Sequence, residues 1–285
     1  MPIPEYDPID PIELAQPQEP VAPPAVAPAW HTLVLVAGIL AISIHGASRF
    51  SAAYGPVNRL ATYGLTAAME LAMLAWVVFG LRLSRTPLRS LLGSFSSSFR
   101  SIAADLGFAL VFWIASLMVL GTIGLAWSGV EAALANRPLV THGAGQNTKA
   151  GQPGQEFKPD PSQMQGLRAV AQLAPSNAKE MAAWALLCLV VGFVEETVFR
   201  GYLQRQFIRF ARGGVVAGVA LSALVFGGAH AYQGVRNIVL LTVFGALFSL
   251  LALRRRSLRA GMFAHSWHDL IAGLALALLK STHVI

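Results

Sequence analysis

Three short stretches of this 285-residue sequence place ionisable side chains among apolar ones. The first is Glu195-Glu196-Thr197-Val198-Phe199-Arg200, directly after the apolar run from Met181 to Val194. The second is Phe226-Gly227-Gly228-Ala229-His230, and the third is His265-Ser266-Trp267-His268-Asp269. At helical spacing Glu196 and Arg200 lie four apart and pair on one face, while Glu195 points about 100° away and is left for another task. His265 and Asp269 are also four apart and converge on one centre, with His268 on a neighbouring face. A carboxylate with two histidines can activate water, either as base and hydrogen-bonding partners or by holding a divalent metal. Both routes lead to hydrolysis of an acyl or peptide bond. Charged groups are rare in apolar helices because they are expensive there, so three separate segments supplying them point to one shared polar centre.

The elements that must position these groups follow from composition. The chain is 55% hydrophobic and 12% charged, with a mean hydropathy of +0.56; soluble domains carry about 25% charged residues. The expected fold is all-α, a polytopic transmembrane helix bundle of about seven spans, near 31–48, 60–81, 101–127, 181–208, 214–233, 236–253 and 257–279. Residues 1–29 read as a disordered, acidic, proline-rich tail without Lys or Arg. Residues 30–127 hold the N-terminal transmembrane helices, 128–180 a long extracytoplasmic loop, and 181–285 the catalytic helix bundle. Asn177 followed by Glu180 has capping-box spacing and marks a helix start. Glu70 and Asp105 fall inside apolar helices, as helix–helix hydrogen-bonding groups or as second polar contacts to the site; His45 reads as interfacial.

The net charge of +7 sits in arginine clusters: Arg82, Arg85, Arg89 and Arg100; Arg205, Arg209 and Arg212; Arg254, Arg255, Arg256 and Arg259. Seven spans bring all three clusters to one side, which the positive-inside rule makes cytoplasmic, together with the N-terminus. No basic patch with interleaved aromatics suggests nucleic acid. The single Cys188 excludes an internal disulfide.

Depth arithmetic adds a condition. If the fourth long helix ended at Arg200, Glu195 would sit roughly 8 Å deep and His230 roughly 24 Å deep, too far apart to meet. The helix is therefore predicted to run on through Gly201 to Arg209, which brings Glu195, His230 and His265 towards mid-membrane.

In order and spacing the three stretches resemble the CPBP family of intramembrane proteases, which includes the type II CAAX prenyl proteases and the bacteriocin-processing Abi proteins. The matching residues are Glu195-Glu196 with Arg200, Phe226 with His230, and His265 with Asp269. The resemblance covers about residues 180–280 and implies an intramembrane endopeptidase. By that resemblance Glu195 is the general base, His230 orients and polarises water, His265 stabilises the oxyanion, and Arg200 positions and neutralises Glu196. Asp269 departs from the family's Asn. An ionised Asp cannot donate to an oxyanion, so it orients His265 or ligates a metal. The expectation is a metal-independent glutamate mechanism. Zinc held by Glu195, His230, His265 and Asp269 is the alternative, although the His-Glu-x-x-His helix of soluble zinc proteases is missing. The expected partners are a membrane-associated peptide or protein substrate and the lipid bilayer. The arginine-over-lysine, alanine- and glycine-rich composition suggests a bacterial inner membrane. A proton-coupled transporter or a non-catalytic membrane immunity or scaffold protein would use the same residues differently, but no inverted repeat is visible.

Overall fold

The computed structural model describes residues 25–52, 58–95, 98–134 and 170–282. Among them the chain is helical without a strand. Six helices are long and apolar enough to cross a membrane: α1 (Ala29–Ala52), α2 (Arg59–Leu83), α4 (Phe99–Leu134), the run α5 (Ala178–Glu195) to α6 (Gln204–Phe210), α8 (Val235–Arg255) and α9 (Arg259–Ser281). Between them lie the short α3 (Leu88–Leu92) and α7 (Val215–Gly228). Large apolar side chains on the outer faces stay exposed, among them Phe99, Met118, Leu125, Leu134 and Val216. That is the surface a lipid solvent requires, and the chain is an integral membrane protein.

The predicted continuation past Arg200 is present. Residues 178–210 form one unbroken helical run of 33 residues, roughly 50 Å long. The Asn177 cap is also formed: its side chain accepts from the Glu180 N–H at 3.0 Å, and the Glu180 carboxylate accepts from the Ser176 N–H at 2.8 Å.

Three boundaries differ from expectation. The fifth predicted span is only the 14-residue α7, roughly 21 Å by helical rise against a hydrocarbon layer of about 30 Å. The helix begins after the turn at Gly213, as expected, but ends at Gly228 instead of 233, ahead of the turn at Gly234; both turn glycines have positive φ. The third helix runs to Leu134 rather than stopping at 127, helped by a Trp127–Glu131 hydrogen bond of 2.6 Å one turn apart. The remainder of the expected loop, residues 135–169, lies outside the described residues, as does the tail up to residue 24. The end of that tail is ordered: Val26 and Ala27 are buried. The Gln206 side chain accepts from the Val26 N–H at 3.1 Å and donates to the Ala27 carbonyl and Thr32 Oγ1, each at 2.8 Å.

Gln206 belongs to a polar knot that ties α1 to the α5–α6 run. The Tyr202 hydroxyl meets His31 Nδ1 and Thr32 Oγ1, each at 2.8 Å, and His31 Nε2 donates to the Trp76 carbonyl at 2.8 Å. Gly80 makes room for the His31 ring, because a Cβ there would lie 2.6 Å from Nδ1. Buried amides that lose their partner cost about 1–3 kcal/mol. Gln206→Leu is therefore expected to lower thermal stability in detergent by that order without touching the acidic centre. An unchanged melting curve would show that water replaces these bonds freely.

The three arginine clusters meet at one end of the bundle. Arg205 donates to the Leu91 carbonyl at 3.4 Å, Ser94 N–H to the Arg256 carbonyl at 3.3 Å, and Leu258 N–H to the Leu92 carbonyl at 3.0 Å. Asp105 takes both Arg255, at 2.5 Å, and Arg259. It is thus a helix–helix group locking α4 to the α8–α9 turn, not a contact to the site.

Candidate active site

The site is built on an irregularity in the long helix. From Glu196 to Leu203 the backbone is wound as a π-helix, and all eight residues are buried. Such segments widen the helix by one residue per turn and recur at functional positions. The Thr197 hydroxyl bonds back to the Phe193 carbonyl at 2.7 Å at its start. Two glycines then let α9 approach closely. A Cβ at Gly192 would lie 3.0 Å from the Ser266 nitrogen, and one at Gly261 would lie 2.9 Å from Glu196 Oε2. Small residues at such crossings are what bring polar groups on two membrane helices within reach.

Glu196 and Arg200 form the predicted pair, 3.0 Å apart, each side chain 1% exposed. The guanidinium also lies over the rings of Phe226 and Phe248, at 4.3 and 5.0 Å from their centroids, and faces the Gly245 carbonyl. These aromatic faces offset part of the cost of burying the cation.

His265 is the hub. Its Nδ1 lies 3.0 Å from Glu196 Oε1, while Nε2 faces Glu195 Oε2 at 3.4 Å and Asp269 Oδ2 at 3.7 Å. An ionised carboxylate only accepts, so Nδ1–H donates to Glu196 and Nε2 is turned to the other two acids. The expected division, with Glu196 serving Arg200 and Glu195 serving something separate, is therefore incomplete: Glu196 bonds one side of the imidazole and Glu195 faces the other.

His230 closes α7, and its Nδ1 donates to the Phe226 carbonyl at 2.8 Å. That bond leaves Nε2 as the acceptor nitrogen of the neutral ring. Phe226 packs against both His230 and His265, with centroids 5.0 and 6.0 Å away, and Asp269 lies within electrostatic reach of His230. His230 thus borders the cluster across an aromatic ring rather than through a direct hydrogen bond. His268 turns elsewhere: it accepts from the Trp113 indole at 3.4 Å and packs on Phe244, tying α9 to α4.

Two further groups face this centre. Glu70, in the middle of α2, is buried and within electrostatic reach of Glu195, His265 and Asp269. Of its two sequence readings, the structure favours a polar group beside the site. Tyr232, on the turn between α7 and α8, lies within reach of Glu195, Asp269 and Glu70, and its hydroxyl accepts from Gln233 at 2.9 Å. Sequence spacing carries no signal for it, because it sits in a turn with no helical register to the motifs. Among the described residues no three His, Cys, Asp or Glu side chains form a metal-binding group. His265 Nδ1 is already engaged by Glu196.

Residues 177–271 match the family model described as Type II CAAX prenyl endopeptidase Rce1-like. The match takes in Glu195, Glu196, Arg200, His230, His265 and Asp269 and leaves Glu70 outside. It bears out the resemblance carried by the three motifs and supports a CAAX-type intramembrane endopeptidase in general. No curated protein and no solved structure matches the chain.

Proposed function

We propose that the chain hydrolyses a peptide bond of a membrane-associated peptide or protein, with Glu195 as general base. The observation that carries this reading is the group of buried Glu195, Glu196 and His265 with half-buried Asp269 on two crossing helices. Glu195 takes a proton from water as its oxygen adds to the scissile carbonyl carbon. The C–N bond then breaks, and the proton passes from Glu195 to the leaving nitrogen. His230 Nε2 accepts the second hydrogen of the water and so aims its lone pair. His265, held at Nδ1 by Glu196 and through it by Arg200, turns Nε2 to the oxyanion, and Asp269 fixes that ring from the other side. The arginine-rich end faces the cytoplasm of a bacterial inner membrane, together with the N-terminus.

The test compares membrane-proteome cleavage products by mass spectrometry in cells carrying the wild type and the Glu195→Ala/His230→Ala double variant. Products present only with the wild type are expected, at equal protein levels. Identical product sets would overturn the endopeptidase reading. Activity of purified wild type in liposomes should survive chelation. Loss on chelation and recovery with zinc would replace the metal-free form by the zinc alternative at Glu195, His230, His265 and Asp269.

A further inference from the structure

A peptide drawn to the depth of this site brings backbone N–H groups that find little water to bond, so each needs an acceptor from the protein. Several acceptors of the centre already have a task, while Glu195 Oε2 and Glu196 Oε2 are buried without a hydrogen-bond partner. Glu196 Oε1 serves His265 and Arg200, and Asp269 faces His265. In the proposed chemistry Glu195 and His230 take the two hydrogens of the water. Glu70 differs. It comes from α2, a helix outside the family match. The residue is only 8% exposed, and its Oε2 is buried without a hydrogen-bond partner. The charged groups it feels are Glu195, His265 and Asp269, with Tyr232 feeling its charge in turn. No lysine or arginine is among them. A buried carboxyl oxygen without a hydrogen-bond partner, beside the site on a helix that supplies none of the proposed catalytic groups, is arranged to receive a donor from outside the protein.

We propose that Glu70 contacts the substrate directly, its free carboxyl oxygen accepting a backbone N–H of an extended peptide laid across Glu195. This rests on the endopeptidase reading and deepens it. Among the described residues α2 packs along α5, and α9 packs along α5 as well. Glu70 on α2 and His265 on α9 therefore both border Glu195 on α5. The peptide is held between an acceptor from α2 and a donor from α9, which suits the N–H and C=O that a peptide offers. The contact recognises the backbone, so it confers no side-chain preference.

The test expresses Glu70→Gln, Glu70→Leu and Glu195→Gln in cells and quantifies the wild-type-dependent cleavage products, with thermal stability of each purified variant measured in detergent. Glutamine keeps a carbonyl acceptor in the same place, whereas leucine keeps only bulk. Glu70→Gln is expected within about threefold of wild type, and Glu70→Leu lower by on the order of 10–100-fold, with both folded. A purely structural Glu70 would instead show losses that follow the melting temperature. Wild-type activity in Glu70→Leu overturns the proposal, and so does a glutamine variant as slow as the leucine one, because that would make the charge rather than the acceptor essential. Should Glu70→Leu fail to fold, the glutamine variant alone decides. An inactive Glu195→Gln beside an overturned Glu70 leaves the endopeptidase reading standing, and a fully active Glu195→Gln removes both.

Discussion

Glu195→Gln is expected to abolish cleavage, lowering the rate by roughly 10²–10⁴-fold, the usual contribution of a positioned general base. Glutamine matches glutamate in size and hydrogen-bonding outline, so the helix crossing at Gly192 and Gly261 is undisturbed. The amide cannot take a proton from water, and that is the whole of the difference. Two features make the prediction sharp. Glu195 Oε2 is buried and has no hydrogen-bond partner of its own, so its neutralisation strands no donor and stability should hold or rise slightly. The group that faces it is His265 Nε2 at 3.4 Å, which Asp269 also faces. The measurement is product formation in cells together with a melting curve in detergent. A normal melting temperature with no product is the expected result; normal product would show that another group carries the proton.

Arg200→Met is expected to be the most damaging change to the fold. The side chains of Arg200 and Glu196 are each 1% exposed and 3.0 Å apart. Removing the cation leaves an ionised carboxylate deep in the bundle, at a cost of about 3–5 kcal/mol, against total stabilities of about 5–15 kcal/mol. The variant should accumulate poorly and melt well below the wild type. Removing both charges distinguishes a burial effect from a lost contact. Glu196→Gln/Arg200→Met should recover most of the stability, because methionine fills the space between Phe226 and Phe248 and glutamine can still accept from His265 Nδ1. The double variant should fold yet cleave slowly, since His265 loses the charged partner that anchors its ring. Equal stability of Arg200→Met and the wild type would mean that the pair is solvated.

Much of this centre is readable along the chain. The i, i+4 relation of Glu196 to Arg200 and of His265 to Asp269 is local helical geometry, and both contacts are present in three dimensions. The need for the helix to continue beyond Arg200 follows from depth alone. The helix boundaries were less legible. The 14-residue α7 starts beside the turn at Gly213, next to its expected start at 214, but ends at Gly228, whereas the expected span runs on to 233. The pinning of Val26 and Ala27 by Gln206 joins residues 180 apart in the chain, and no local pattern encodes such a partner.

The amino-acid sequence by itself determined the all-helical membrane class, the three polar motifs and their order, because hydropathy and helical periodicity are properties of short windows. Only the tertiary structure decided how the motif residues meet. It wound residues 196–203 as a π-helix, set both glutamates against one imidazole, placed Phe226 between His230 and His265, and turned His268 away to Trp113. It also brought Glu70 and Tyr232 to the centre. These outcomes depend on which helices cross and how closely, which Gly192 and Gly261 control from about one helical turn before the first and third motifs.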